Sequence, residues 1–248
     1  MRLIAHRGAR AEEPENTLRA IRRAAACRAD TVEVDVRLSH DHVPVVLHDA
    51  TLDRTTNGTG KVSETPLELL RALDAGKGER IPTLAEVLAL ARELVIELVI
   101  ELKECGFEAA VLREIAVAGM EQRVMIASFY HASVLTIKER APLLKTGIIL
   151  SSLPVFPIAV ARAARADVIF QRYPRLTRDY VEEASRNNIT VYPWLINTME
   201  ELETVRSLGV TGFVTDHPCR FSALVPPRAR ESYEARLHAP HLTSCRPP

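Results

Sequence analysis

The chain has 248 residues, 47% hydrophobic and 26% charged, which suits one large α/β domain or two small ones. Its 32 basic residues balance 32 acidic ones, so no net field recruits nucleic acid or an anionic membrane. No apolar run reaches the length of a membrane span, and the longest, LVIELVIEL, is broken by Glu97 and Glu101.

Short β-type runs alternate with helical runs along the chain. The pattern predicts a strand at Leu3–His6, a helix over Asn16–Cys27 and a strand at Thr31–Arg37. A helix over Leu84–Glu93 precedes a strand within Val95–Leu102, and a helix over Phe107–Ala118 precedes Val124–Ser128. Helices at Ala132–Arg140, Ile158–Ala164, Thr177–Asn187 and Met199–Leu208 then alternate with strands at Lys145–Leu150, Asp167–Gln171, Thr190–Leu195 and Gly212–Thr215. Eight strands with helices between them predict a parallel sheet, and this length fits a (β/α)8 TIM barrel; a doubly wound open sheet is the runner-up.

Three segments depart from the rhythm. Residues 49–80, rich in Thr, Gly and Asp and carrying Asn57-Gly58, read as an insertion after strand two with a short helix near Pro66–Leu73. One domain then spans residues 1–225, and from Pro226 the chain reads as a loosely attached tail, 226–248. Cys27, Cys105, Cys219 and Cys245 are far apart and lack metal-binding spacing. They read as four reduced thiols, and with no apolar leader before the first strand a cytoplasmic protein is expected.

The chemistry sits where polar residues end strands, because barrel active sites lie at the C-terminal strand ends. Val32, Val34 and Val36 alternate with Glu33 and Asp35, so one face is valine and the other carries two adjacent carboxylates. Glu101 and Lys103 share a face of the third strand. Three carboxylates inside a packed barrel repel one another, and a hard divalent cation, Mg2+ or Ca2+, removes that cost. Glu97 shares the parity of Glu101, but it lies four residues farther from the C-terminal end, so it is expected at the strand entrance near water. His6 and Arg7 end the first strand, with Gly8 permitting close backbone approach; Ser128, Trp194 and Asp216 end later strands. His48 closes the apolar run VPVVL, whereas His40 and His42 read as solvated turn residues.

The segments IAHRGARAEEPENTLRAIRRA and TVEVDVRLSHDHVPVVLHDATLDRTTNGTG, followed by IPTLAEVLAL, IELK, SFY, VYPWLIN and GFVTDHP, strongly resemble the glycerophosphodiester phosphodiesterase family over residues 3–220. The resemblance implies a (β/α)8 barrel with a small insertion after strand two, one bound divalent cation and a small-molecule glycerophosphodiester substrate. It implies Glu33, Asp35 and Glu101 as metal ligands, His6 and His48 as the acid/base pair, Arg7 and Lys103 at the phosphate, and Trp194 on the glycerol side. Two departures from the family pattern, Asp41-His42 for Asp-Gly and Leu195 for threonine, leave substrate preference open. A lysophospholipase-D-like or sphingomyelinase-D-like activity is the alternative on the same barrel. It needs an apolar groove for lipid tails, and the chain is read as lacking an exposed aromatic or amphipathic membrane element. A non-catalytic phosphate-ester binder is disfavoured because the whole polar set is present.

Overall fold

A computed structural model describes residues 1–224 of the chain; the tail from Pro226 and Cys245 lie outside them. The strands are β1 (Arg2–His6), β2 (Thr31–Leu38), β3 (Pro44–Val46), β4 (Glu97–Leu102), β5 (Val124–Ser128), β6 (Lys145–Leu150), β7 (Val168–Arg172), β8 (Thr190–Trp194) and β9 (Gly212–Thr215). The helices are α1 (Leu18–Ala26), α2 (Leu67–Ala72), α3 (Leu84–Glu93), α4 (Glu108–Ala118), α5 (His131–Arg140), α6 (Pro157–Ala163), α7 (Arg178–Arg186), α8 (Met199–Ser207) and α9 (Pro218–Phe221). Eight strands pair in parallel in the order β8-β7-β6-β5-β4-β2-β1-β9. A backbone hydrogen bond from Ile196 N–H to the Val214 carbonyl (2.9 Å) bridges the two ends of that path. The architecture is the expected nearly closed (β/α)8 barrel.

Strand alternation sorts the side chains into two cores. Val32, Val34 and Val36 on β2 and Leu98, Ile100 and Leu102 on β4 face outward, into the large cluster that joins strands to helices. The opposite parity fills the barrel interior with Ile4, Val99, Met125, Ile149, Phe170, Tyr192 and Val214. Burying each such side chain contributes about 1.5–3 kcal/mol. Gly147 on β6 makes room for this layer, since a Cβ there would lie 2.8 Å from the Phe170 ring.

The insertion after β2 has a core of its own, formed by Val45, Leu47, Leu52, Val62, Leu70, Ala75 and Ile81. It opens with a strand that sequence reading did not anticipate: β3 returns antiparallel to β2, pairing Val36 with Val46 and Leu38 with Pro44. The connecting turn holds His42 at φ 61, a conformation that favours glycine. His40 and His42 are both exposed, as expected.

The reading of four reduced thiols is corrected. Cys27, which caps α1, is bonded to Cys219 in α9, with Cα atoms 4.7 Å apart and 192 residues between them in sequence. The bond straps the helix after β1 to the segment after β9. Closing so long a loop restricts the unfolded chain by about 5 kcal/mol on a chain-entropy argument. Cys105 is free and exposed.

Candidate active site

The inward parity of the barrel brings the polar strand-end residues to one place. Asp35 pairs with Glu101 across β2 and β4, and His6 pairs with Glu33 across β1 and β2. Glu33, Asp35 and Glu101 are all buried, and one carboxylate oxygen from each lies within 4.8 Å of the others. Glu97 occupies the first position of β4. It is part-exposed and ion-paired with Arg2, so it satisfies its charge at the opposite end of the barrel.

Two cations flank the carboxylates. Arg7 Nε lies 3.1 Å from Asp35 Oδ2, and the Arg7 backbone N–H donates to Glu33 Oε2 at 2.9 Å. Lys103 Nζ donates to Glu101 Oε1 at 2.6 Å and sits 3.4 Å from Asp35 Oδ1. The chain around Arg7 is tightly constrained. Arg7 itself has φ 55. Gly8 has φ 80, and a Cβ there would fall 2.7 Å from Ala20, so only glycine fits.

Charge is distributed unevenly over the three carboxylates. Burial, reinforced by Asp35 and Glu101, pushes Glu33 well above the ordinary carboxylate range. Burial and the charge of Asp35 push Glu101 up to about 7. Burial acts on Asp35 too, but Arg7, Lys103, His48 and Asn16 together hold it below its ordinary value. Glu33 Oε1 is buried and accepts no hydrogen bond.

His6 and His48 meet the cluster from different elements. His6 ends β1, and its Nδ1 lies 2.7 Å from Asp216 Oδ1, just past β9. His48 follows β3, whose end is fixed because Leu47 N–H donates to the Asp35 carbonyl at 3.0 Å. His48 Nδ1 contacts Asp49 Oδ1, and Arg37 Nε donates to the His48 carbonyl at 2.9 Å. Burial lowers the pKa of both histidines, only partly offset by their carboxylate neighbours. Both partner aspartates are held below the ordinary range, Asp216 by His6 against its own burial and Asp49 first by Arg54. An ionised carboxylate only accepts, so each Nδ1 carries the proton and each Nε2 is left as the ring atom for proton transfer.

Trp194 ends β8, its indole N–H donating to the Phe170 carbonyl at 3.1 Å. It joins the site through Phe129, whose ring stands edge-on to it at 6.1 Å and lies 5.9 Å from Lys103 Nζ. Ser128, another strand end, turns away and donates to the Leu102 carbonyl at 2.7 Å.

Sequence reasoning missed the residues that hold this set in place. Asn16 donates to Asp35 Oδ2 at 2.8 Å, and Asn197 donates to Asp216 Oδ2 at 3.1 Å. Each asparagine precedes a threonine that caps a helix, Thr17 for α1 and Thr198 for α8. The repeated dipeptide Asn-Thr was the available signal: the threonine starts the helix and the asparagine grips a carboxylate. Glu15 links Arg7 (2.8 Å) to Arg54 (2.7 Å), and Arg54 Nε donates to Asp49 Oδ2 at 2.7 Å. That chain of ion pairs connects the insertion to the β1 loop.

Known proteins resemble this chain over most of its length. The model of the glycerophosphoryl diester phosphodiesterase family matches residues 6–220. A glycerophosphodiester phosphodiesterase of Caldanaerobacter subterraneus subsp. tengcongensis is 38% identical over 228 residues, covering 87% of this chain and 94% of that protein. A crystal structure of a glycerophosphodiester phosphodiesterase from Agrobacterium tumefaciens superposes with a TM-score of 0.80 at 31% identity, covering 90% of this chain and 99% of that one. An Oleispira antarctica phosphodiesterase, solved in complex with the product sn-glycerol-3-phosphate, gives 0.83 at 26% identity, covering 91% and 97%. With its barrel, its buried carboxylates and a family match over nearly the whole described length, this chain belongs to the glycerophosphoryl diester phosphodiesterase family, enzymes that hydrolyse phosphoric diesters.

Proposed function

We propose that the chain hydrolyses glycerophosphodiesters to glycerol 3-phosphate and an alcohol, using one divalent cation held by Glu33, Asp35 and Glu101 and using His6 and His48 as the acid/base pair. The observation that carries this reading is the buried carboxylate trio, with ligand oxygens within 4.8 Å of one another and Glu33 Oε1 without a partner. Three carboxylates with an orphaned oxygen suit a hard cation, Mg2+ or Ca2+. When bound, such a cation supplies neutralising charge to the phosphoryl oxygens.

The chain's own residues supply the rest. Arg7 presents a planar fork to the phosphate, suited to two of its oxygens. Lys103 adds a second positive charge as the phosphoryl oxygens grow more negative. One imidazole Nε2 takes the proton from the attacking oxygen, and the other delivers a proton to the departing alkoxide. Asp216 and Asp49 hold the ring orientations and stabilise each imidazolium as it forms. Trp194 closes the glycerol side of the site. The test is release of glycerol 3-phosphate from glycerophosphocholine, with and without EDTA. Release that stops on chelation and returns with added Mg2+ or Ca2+ is expected. Full turnover after exhaustive chelation would overturn the metal assignment, and no release under any condition would overturn the substrate.

A further inference from the structure

Glu15 lies in the loop between β1 and α1, and hydrogen bonds within that loop fix where its side chain goes. The Thr17 hydroxyl donates to the Pro14 carbonyl at 2.7 Å, and the Asn16 N–H donates to the Arg7 carbonyl at 3.0 Å. These bonds lay the loop back against the end of β1. Asn16 then reaches Asp35, while Glu15 reaches three arginines. Its Oε1 accepts from Arg7 Nη1 at 2.8 Å and from Arg54 Nη2 at 2.7 Å. Its Oε2 accepts from Arg54 Nη1 at 3.0 Å and lies 3.7 Å from Arg10 Nη2. Burial pushes the Glu15 carboxyl up, but Arg54 and Arg7 outweigh it and bring it down to about 2. The side chain is therefore a fixed negative charge near neutral pH.

The three arginines lead to different parts of the site. Arg54 also grips Asp49, with Nε donating to Oδ2 at 2.7 Å and Nη2 to Oδ1 at 3.1 Å. It is thus bidentate to two carboxylates at once, and Asp49 contacts His48 Nδ1. Arg10 Nε lies 3.6 Å from Asp216 Oδ1, the oxygen beside His6. Arg7 has Asp35 beside Nε at 3.1 Å and Glu15 on Nη1, so two anions on different nitrogens set the plane of its guanidinium.

We propose that Glu15 is a positioning residue for the reaction: it keeps Arg7 aimed at the phosphate and, through Arg54 and Asp49, orients the His48 ring. The proposal rests on the phosphodiesterase reading above and adds a residue to it. Glu15 touches no reacting atom; it acts on the groups that do. Without its charge, Arg7 keeps Asp35 as its one close anion and turns toward that carboxylate, away from the phosphate position. Arg54, whose side chain is 45% exposed, is then held from one side only and can leave Asp49 for water. Misplacing either group by about 1 Å can cost up to about a hundredfold in rate. Stability depends little on this link, because Arg7 and Arg54 each retain a carboxylate partner.

The experiment measures choline release from glycerophosphocholine by the wild type and by Glu15→Gln, Glu15→Asp, Arg54→Gln and the double variant Glu15→Gln/Arg54→Gln. Glu15→Gln should lower kcat/KM about thirtyfold while the thermal midpoint stays within about 4 °C. Glu15→Asp, which restores the charge, should recover at least about threefold of that loss. Arg54→Gln, which breaks only the branch to His48, should cost about fivefold in kcat. The double variant should match Glu15→Gln within about threefold, because the two residues act in one chain. Activity of Glu15→Gln within about threefold of wild type would overturn the proposal and leave the phosphodiesterase reading standing. So would a double variant whose loss is the product of the two single losses, or a loss that vanishes when the assay is cooled below a lowered midpoint. Should Glu15→Gln lack a cooperative melt, Arg54→Gln decides, and wild-type kcat there would overturn the proposal. A wild-type enzyme that releases no choline would overturn the phosphodiesterase reading and this inference with it.

Discussion

The two halves of this barrel obey one alternation rule and put it to different uses. On β1, β2, β4 and β9 the inward positions toward the C-terminal end are His6, Glu33, Asp35, Glu101 and, just past β9, Asp216. On β5, β6, β7 and β8 the same parity carries Met125, Ala127, Ile149, Phe170 and Tyr192. The second half is cheap to bury and contributes packing. The first half is costly to bury, and its cost is offset group by group: Arg7 and Lys103 beside Asp35, Asn16 on Asp35, Asn197 on Asp216. The lesson is that chemistry on this fold is confined to a sector, while the rest of the barrel supplies the stability that lets the sector carry mutually repelling charges.

The sharpest way to break that division is to neutralise one member of the charged sector. Glu101→Gln keeps shape and removes one proposed ligand charge. Binding of Mg2+ or Ca2+, measured by calorimetry, should weaken about tenfold or more, and kcat/KM should fall by about a hundredfold or more. His6→Ala and His48→Ala should each lower kcat at least about a hundredfold. Wild-type kcat in either histidine variant would remove that residue from the acid/base pair.

The supports of the histidines come next in size. Asp216 sits 2.7 Å from His6, so Asp216→Asn removes a charge that raises the His6 pKa. The shift has one sign: without the carboxylate the imidazolium is less stable, its pKa falls, and the limb of the pH–rate profile that His6 governs moves to lower pH. We expect a loss in kcat of about ten- to a hundredfold with that displacement. Asp49→Asn should cost less, within about tenfold, because the His48 backbone stays anchored by Arg37. A purely structural role for Asp216 would lower the thermal midpoint and leave the pH profile in place.

Much of this was legible from local pattern. Parity alone put Glu33 and Asp35 on one face of β2, and the alternation of runs marked all eight barrel strands. What stayed hidden depends on contacts between distant parts of the chain. Asp216 was visible as a strand end, but its pairing with His6 spans 210 residues. Cys27 and Cys219 are 192 residues apart, and no spacing rule links them. β3 was missed because three residues beside a turn carry too little periodicity. The Glu15–Arg54–Asp49 chain was missed because it joins two loops, and loops have no period to read.

The apolar half can be tested from the other direction. Phe170 is buried, with its ring 5.8 Å from that of Tyr192. Phe170→Ala should cost about 3–5 kcal/mol through lost burial and a residual cavity, a drop of about 10 °C in thermal midpoint for a chain of this size. Below the new midpoint, kcat should stay within about threefold of wild type, because Phe170 adds only a backbone carbonyl to the site, the one that accepts from Trp194. A collapse of kcat with little loss of stability would show that the two halves are not separable.

The smallest effect is expected at Glu97, and it tests the register of the charged sector itself. Glu97 and Glu101 lie on the same strand with the same parity, so alternation alone does not distinguish them. The structure separates them by depth. Glu97 opens β4 with its side chain 40% exposed and paired to Arg2, itself 31% exposed, whereas Glu101 is 7% exposed and within ligand distance of Glu33 and Asp35. An ion pair open to solvent contributes about 0–1 kcal/mol, and its loss is screened further by salt. Glu97→Gln should therefore shift the thermal midpoint by no more than about 4 °C. Metal affinity and kcat/KM should stay within about threefold of wild type, because no group of the proposed site touches Glu97. The two glutamine variants form an internal control, with the same strand, face and substitution four positions apart. If Glu97→Gln lost metal binding while Glu101→Gln kept it, the strand would be out of register by four residues and the charged sector would sit at the wrong end of the barrel.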